Sequence, residues 1–270
     1  MSYGHLKLGK KPKKEDPRTL KLATYLDKKL VPEPPATSQY LNEVGEWGML
    51  DNDSIGDCVE AAQLHLIEEE TAYATGKELV ASNEDAILLY EQEGGYIPGD
   101  PNTDNGTVIL DALKFARSNG VLVGGTIHKV AAFLELNLSD SVELRQSIYL
   151  FGGAIIGVDL PVAMQEPPIN GVGTPVWVYP GNQVGGNAPG SWGGHCVPIV
   201  GYMTTHHRAL KRHRYQVISW GEEFWLTPDF LKVYGSEGWV VLSEDWFNPM
   251  GLDVHGFNKE ALRYDLEHLK

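Results

Sequence analysis

From Asp57 to Gly120 the chain reads as helices closed by glycines, and from Gly152 onward it reads mainly as strands. That order constrains the fold more than any other feature. Alternating strand–helix units would signal a parallel α/β sheet, whereas helices followed by strands signal an α+β domain. The first strong helix is CVEAAQLHLIEEETAYATG, with Asp57 suited to its N-cap and Gly76 to its C-terminal stop. Cys58, Ala61, Ala62, His65 and Ala72 share one side, and Glu68, Glu69 and Glu70 are expected on an exposed face. Further helices are predicted over 83–93, 107–119 and 142–151. AIIGVDL, HCVPIVGYM, YQVISWG and WVVLS predict strands. A short helix should begin at Thr227-Pro228, and a last one covers 258–270.

The ends of the chain differ from its middle. Residues 1–30 carry nine Lys or Arg against three Asp or Glu, a net +6, while the whole chain is 22 − 36 = −14. The rest of the chain is therefore at −20, which disfavours nucleic-acid binding by the acidic body because phosphates are repelled. The predicted organisation is a basic arm and Pro-rich linker over 1–38, a globular body over 39–250 and a helical tail over 251–270. Within the body, a helical half is expected over about 39–140 and a sheet half over about 141–250. The arm reads either as a solvated tail or as an anchor for an acidic protein partner, such as an assembly, capsid or tail protein. A short amphipathic helix is expected at 19–30.

The N-terminus lacks the apolar core of a secretory signal, and no apolar run is long enough to span a bilayer. No membrane association is expected. Two cysteines do not make a disulfide framework and fit a reducing cytosol, in a bacterial or phage-infected cell, or a virion assembled there.

Chemistry concentrates around two residues. A nucleophilic thiol needs help to ionise, an imidazole within reach and donors for an oxyanion. Cys58 stands at a predicted helix start, where free N–H groups favour a thiolate. His195 follows a Gly-rich loop, GNQVGGNAPGSWGG, and lies 195 − 58 = 137 residues downstream. Cys196 should point away from Cys58 if His195 points toward it, because adjacent strand residues face opposite sides.

Three blocks then carry a family resemblance: NDSIGDC, GGHCVPIVGY and ISWG. In this order and at these separations they resemble the papain-like cysteine peptidases over roughly residues 45–245. The chain also resembles papain-like proteins of phages and bacteria, a likeness that extends to GFNKEAL near the C-terminus. The resemblance implies an α+β papain-like fold, with a helical half carrying Cys58 packed on an antiparallel sheet half. It implies Cys58 as nucleophile, His195 as base and Asn52 in the place of the family's oxyanion Gln. Ser219 and Trp220 fall on the block that shields the imidazole, and Asp57, Gly194 and Trp192 border the cleft. The family's orienting Asn falls on Ile218, which accepts no hydrogen bond, so Gln216 is the expected substitute. Asp57 replaces the family's Ser, and its charge would oppose a thiolate.

These readings leave three functions open: a peptidase or amidase acting on a peptide or amide substrate, a catalytically weak structural or binding protein, such as a phage virion component docked by its arm, or another thiol enzyme, such as an acyl transferase or a cell-wall amidase. No cofactor or metal is expected. DPNTDNG at 100–106 fails calcium-loop spacing and reads as a capped turn. His206, His207 and His213 sit among Lys and Arg that repel cations.

Overall fold

A computed structural model describes residues 2–27, 29–41, 44–204, 213–246 and 257–268. After a short turn α1 (Leu22–Tyr25) and strand β1 (Thr37–Gln39) come helices α2 (Cys58–Thr75), α3 (Asn83–Glu93) and α4 (Ile109–Asn119). A small hairpin, β2 (Val121–Val123) and β3 (Thr126–His128), leads into β4 (Val130–Glu135) and α5 (Ser141–Phe151). Strands β5 (Ala154–Leu160), β6 (Val176–Trp177), β7 (Gly193–Thr204), β8 (His213–Ser219) and β9 (Glu222–Leu226) follow. Helix α6 (Pro228–Tyr234), strand β10 (Gly235–Ser243) and helix α7 (Lys259–His268) complete the order. The α+β reading therefore holds.

One mixed sheet organises the molecule, in the order β4-β10-β5-β7-β8-β9-β6, with β1 added against β7. All pairings are antiparallel except β6 with β9. Its two faces separate by the period-2 rule of strands. In β5, Ala154, Ile156, Val158 and Leu160 enter a large core with α5 and α6, while Ile155 enters a second cluster under α2. In β7, Val197 and Ile199 take the first face and Cys196 the second. Both faces are thus covered, which explains why these strands read as unbroken apolar runs.

The sequence boundaries need correction in three places. The arm is not separate from the body: Tyr3, Leu22 and Tyr25 are core residues, and β1 belongs to the sheet. Among the described residues of 19–30, only Leu22–Tyr25 is helical. β4 comes from the nominal helical half yet forms the edge of the sheet beside β10. The two ends of the chain meet, since Tyr25 donates its hydroxyl to Asp265 at 2.7 Å and its carbonyl accepts from Asn258 N–H. The basic loop over 206–212 lies outside the described residues.

Helix α2 departs most from expectation. Glu68, Glu69 and Glu70 are buried, not exposed, because α2 is enclosed by the sheet, α3 and α4. Leu64, Leu66 and Ile67 each contribute about 2 kcal/mol on burial. An ionised buried carboxylate costs several kcal/mol, enough to cancel such a gain. Burial accordingly pushes the carboxyls up, Glu68 to about 8 and Glu69 and Glu70 well above the ordinary value. Glu68 still accepts from Ala81 N–H at 2.7 Å, and this bond survives in a glutamine.

A carboxyl raised in the folded state stabilises the fold while protonated, and that stability is lost as pH rises through its folded value. Glu68→Gln should therefore gain on the order of 1–3 kcal/mol over the wild type at pH 8 and little at pH 4.5. Urea titrations at the two pH values check this; an equal difference at both would show that Glu68 is charged in the fold.

Candidate active site

Cys58 occupies the first turn of α2, where unpaired backbone N–H groups gather. The loop before it is pinned from several sides. Leu50 and Asp51 are left-handed, at φ 56° and 60°, and bring Asn52 beneath the helix start. Gly56 N–H donates to Asp104 at 2.8 Å, and the same carboxylate accepts from Tyr90. Asp104 belongs to the 100–106 turn, so that turn supports the nucleophile's loop. Among the described residues no group of three His, Cys, Asp or Glu is arranged to hold a metal ion.

Two expectations fail here. Asp57 occupies the N-cap position, but its side chain caps no N–H group; it accepts from the Asn52 amide at 3.0 Å. Asn52 is buried and already engaged, so its amide does not point freely at an oxyanion. Asp57 is also buried, and its carboxyl is raised by burial and by nearby Glu60.

His195 lies in β7 and is fully enclosed. Its Nε2 is 2.8 Å from Ser219 Oγ. Its ring stacks on Trp220 at 4.4 Å and meets Trp177 edge-on at 6.2 Å. Trp220 and Gly221 form the two-residue turn between β8 and β9, both at positive φ, 49° and 70°. A tryptophan is costly in that conformation, and its return is the stacked roof over the imidazole. Trp192 stacks on the other side of this array, 5.6 Å from Trp220.

Gln216 does not orient His195. Its amide donates to Glu223 at 2.7 Å, on the outer part of the β8–β9 pair. Ser219, one residue past Ile218, makes the bond instead. The imidazole contact is thus made by a serine hydroxyl one position beyond Ile218.

His195 Nδ1 is buried and has no hydrogen-bond partner among the described residues. The neighbouring residue reaches the thiol: backbone N–H groups of Cys196 and Gly9 both favour the Cys58 thiolate by hydrogen bonding. Cys196 does not turn away from Cys58, because its side chain lies in the same apolar cluster. His195 instead faces the aromatic side of β7. Both cysteines are free.

The presence of Gly9 at the sulfur shows what fills the cleft. It is the basic arm. Tyr3 stacks on Trp220 at 5.8 Å and donates to Glu222. Lys7 carbonyl accepts from Trp220 Nε1 at 3.3 Å. Gly9 carbonyl accepts from Thr107 N–H, Lys10 N–H donates to Gly194 carbonyl and Lys11 N–H donates to Thr107 carbonyl, at 2.8, 3.1 and 2.9 Å. Beyond that, Lys13 pairs with Glu135 and Lys14 with Asp111. The arm's acidic partner is the chain's own body. Nothing in the sequence except opposite charge signalled this.

Close approach depends on glycines. A Cβ at Gly9 would overlap the Gly56 carbonyl, and one at Gly106 or Gly194 would overlap the arm's backbone. Under this cover Cys58 and His195 are fully buried. Burial pushes the Cys58 thiol up to about 12, helped by Glu60 and Asp57, and pushes His195 down to about 3. A neutral thiol and a neutral imidazole are the resting pair.

This architecture has counterparts among solved structures. Xylellain, a cysteine protease from Xylella fastidiosa, superposes with a TM-score of 0.64 at 16% identity, covering 88% of this chain and 96% of that one. The procathepsin B S9 of Trypanosoma congolense gives 0.61 at 12% identity, over 90% and 88% of the two chains. Procathepsin L 3 of Tenebrio molitor larval midgut gives 0.57 at 12%, over 88% and 76%. The fold is papain-like. No protein-family model matches the sequence, and no curated protein does.

If Gly9 closes the site, a side chain there should open it. Gly9→Ala in the full chain should raise the rate of Cys58 alkylation by iodoacetamide at pH 8 about tenfold, equal to about 1.4 kcal/mol of lost arm docking. An unchanged rate, with circular dichroism unchanged, would mean that the arm does not limit access.

Proposed function

We propose that the chain is a thiol hydrolase, a peptidase or amidase, held in a closed state by its own N-terminal arm. The observation that carries this reading is the bond from His195 Nε2 to Ser219 under Trp220, with a buried and unpartnered Nδ1. When Nε2–H donates to Ser219 Oγ, Nδ1 keeps a lone pair and becomes the base. Such a polar atom is expensive to bury without a use.

In this reading the arm leaves first. Water then enters, the desolvation that raises Cys58 is relieved, and the thiol drops toward an ordinary value near 8.5. For the transfer, His195 must turn from the aromatic side of β7 so that its Nδ1 takes the Cys58 proton as the sulfur attacks an amide carbonyl. The oxyanion is held by the Cys58 backbone N–H at the start of α2. The Asn52 amide adds a second donor if it leaves Asp57. The imidazolium returns its proton to the leaving amine, and water releases the acyl group.

A second reading has its own support. Asp57 and Glu60 both oppose a thiolate, and a closed cleft suits a catalytically silent binding protein such as a virion component. Assembly with an acidic protein through residues 1–30 would then require the arm to leave its own body.

The two readings separate in one experiment on Gly9→Ala, screened against a mixed peptide library by mass spectrometry. Hydrolysis is expected, with Cys58→Ala abolishing it. Ser219→Ala should lower kcat about tenfold or more while leaving KM little changed, since Ser219 positions the base and does not touch substrate. The alkylation profile of Cys58 should also shift upward in pH when His195 becomes Ala. Absence of any cleavage, together with a Cys58 profile indifferent to His195, favours the binding protein.

A further inference from the structure

Lys10 is the most deeply buried cation of the arm, with its side chain 2% exposed. Its Nζ lies 3.3 Å from Asp159 and 3.8 Å from Glu237, and donates to Lys11 carbonyl at 3.3 Å. The place it enters is built from the same sheet face that packs under α2. Nearer the helix, that face is apolar, with Ile155, Cys196, Trp239 and Val241. Further along the strands it becomes Gly157 and Asp159 in β5, Gly194 in β7 and Glu237 in β10, with Glu237 paired to Gly157 and Gly194 to Asp159 by register. The apolar face stops where the nucleophile begins, and an acidic recess replaces it.

Three features mark the recess as made for a long cation. Gly157 leaves room for the stem, because a Cβ there would strike Lys10 Cδ. Glu237 is fully buried on the sheet, and Trp239 Nε1 fixes one of its oxygens at 2.9 Å. Its other oxygen has no hydrogen-bond partner among the described residues and points toward the Lys10 ammonium. A buried carboxylate oxygen left unpaired is costly without a cation. The Lys10 backbone also docks in the cleft, through Gly194 carbonyl.

We infer that this recess is a lysine-selecting pocket of the cleft: substrates are extended peptides that place a lysine side chain between Asp159 and Glu237, next to a residue without a bulky side chain at Cys58. The arm, with Gly9 at the sulfur and Lys10 in the pocket, occupies it in cis. Specificity then comes from Glu237, which is oriented by Trp239, and the exposed rim charge of Asp159 adds steering. The inference rests on the reading of the Cys58 cleft as a peptide-binding site.

The test uses binding, so that it does not depend on turnover. In the full chain, Lys10→Met and Glu237→Gln should each accelerate Cys58 alkylation about tenfold, and the double variant should add little to either one. Glutamine keeps the bond from Trp239, so loss of folding is not the expected cause. In the Gly9→Ala chain, the peptide acetyl-Leu-Lys-Leu-Gly-Lys-Lys-Pro-amide should protect Cys58 at a concentration at least about tenfold lower than its counterpart with norleucine in place of the first lysine after glycine. Glu237→Gln in that background should erase the preference. Equal protection by the two peptides, protection by neither, or unchanged alkylation in all the arm and pocket variants would each overturn the pocket. A chain that shows the lysine preference but cleaves nothing would refute the hydrolase and leave the pocket standing. Cleavage without the preference would do the reverse.

Discussion

The enclosure of α2 between the sheet and the helices α3 and α4 is the constraint from which the site follows. A helix buried on every side has a fixed axis and a fixed end. Cys58 sits at that end, and the strand beside it, β7, delivers the Cys196 N–H to its sulfur. The cost of the arrangement appears along the helix as carboxyls forced toward their neutral forms, and at its start as a thiol that does not ionise while the cleft is dry. Position and protonation of the nucleophile are two consequences of one burial.

The arm completes that burial. Its glycine lies where a side chain would overlap backbone, and its lysines find carboxylates at Asp159, Glu135 and Asp111. The charge separation along the sequence, +6 over the first 30 residues against −20 over the rest, is thus reconciled within one molecule. Surface pairs such as Lys14–Asp111 contribute little each, about 0–1 kcal/mol. The backbone ladder through Thr107 and Gly194, the Tyr3–Trp220 stack and the buried Lys10 carry most of the docking.

Much of this architecture was legible in the residues. Helix α3 matches its sequence limits, and α2 and the strands at AIIGVDL and HCVPIVGYM fall where periodicity, glycine stops and β-branched runs put them. The papain-like fold followed from three short blocks. What escaped was of another kind. Glu68, Glu69 and Glu70 look like a solvated face, because no local pattern reports that three layers close over a helix. β4 and β9 were missed: VAAFLE has no clear alternation, and EEFWL begins with two glutamates. Ser219 was visible within ISWG, but its bond to His195 depends on the left-handed turn at Trp220, which no propensity scale favours.

The same limit explains the misplacement of Gln216 and Cys196. Both were placed by assuming that His195 and its helpers share a simple strand face with Cys58. The structure separates these tasks across β7. The thiol is served by backbone amides and by the Cys196 side of the strand, and the imidazole by the aromatic side, through Ser219, Trp220 and Trp177. Because Cys58 and His195 lie on opposite sides of β7, each is tuned by a different environment. The thiol answers to the arm and to the carboxyls at the start of α2. The imidazole answers to the aromatic box of Trp220 and Trp177, which the arm also touches through Tyr3 and Lys7. Displacing the arm therefore acts on both sides of β7, through Gly9 at the thiol and through Tyr3 and Lys7 at Trp220.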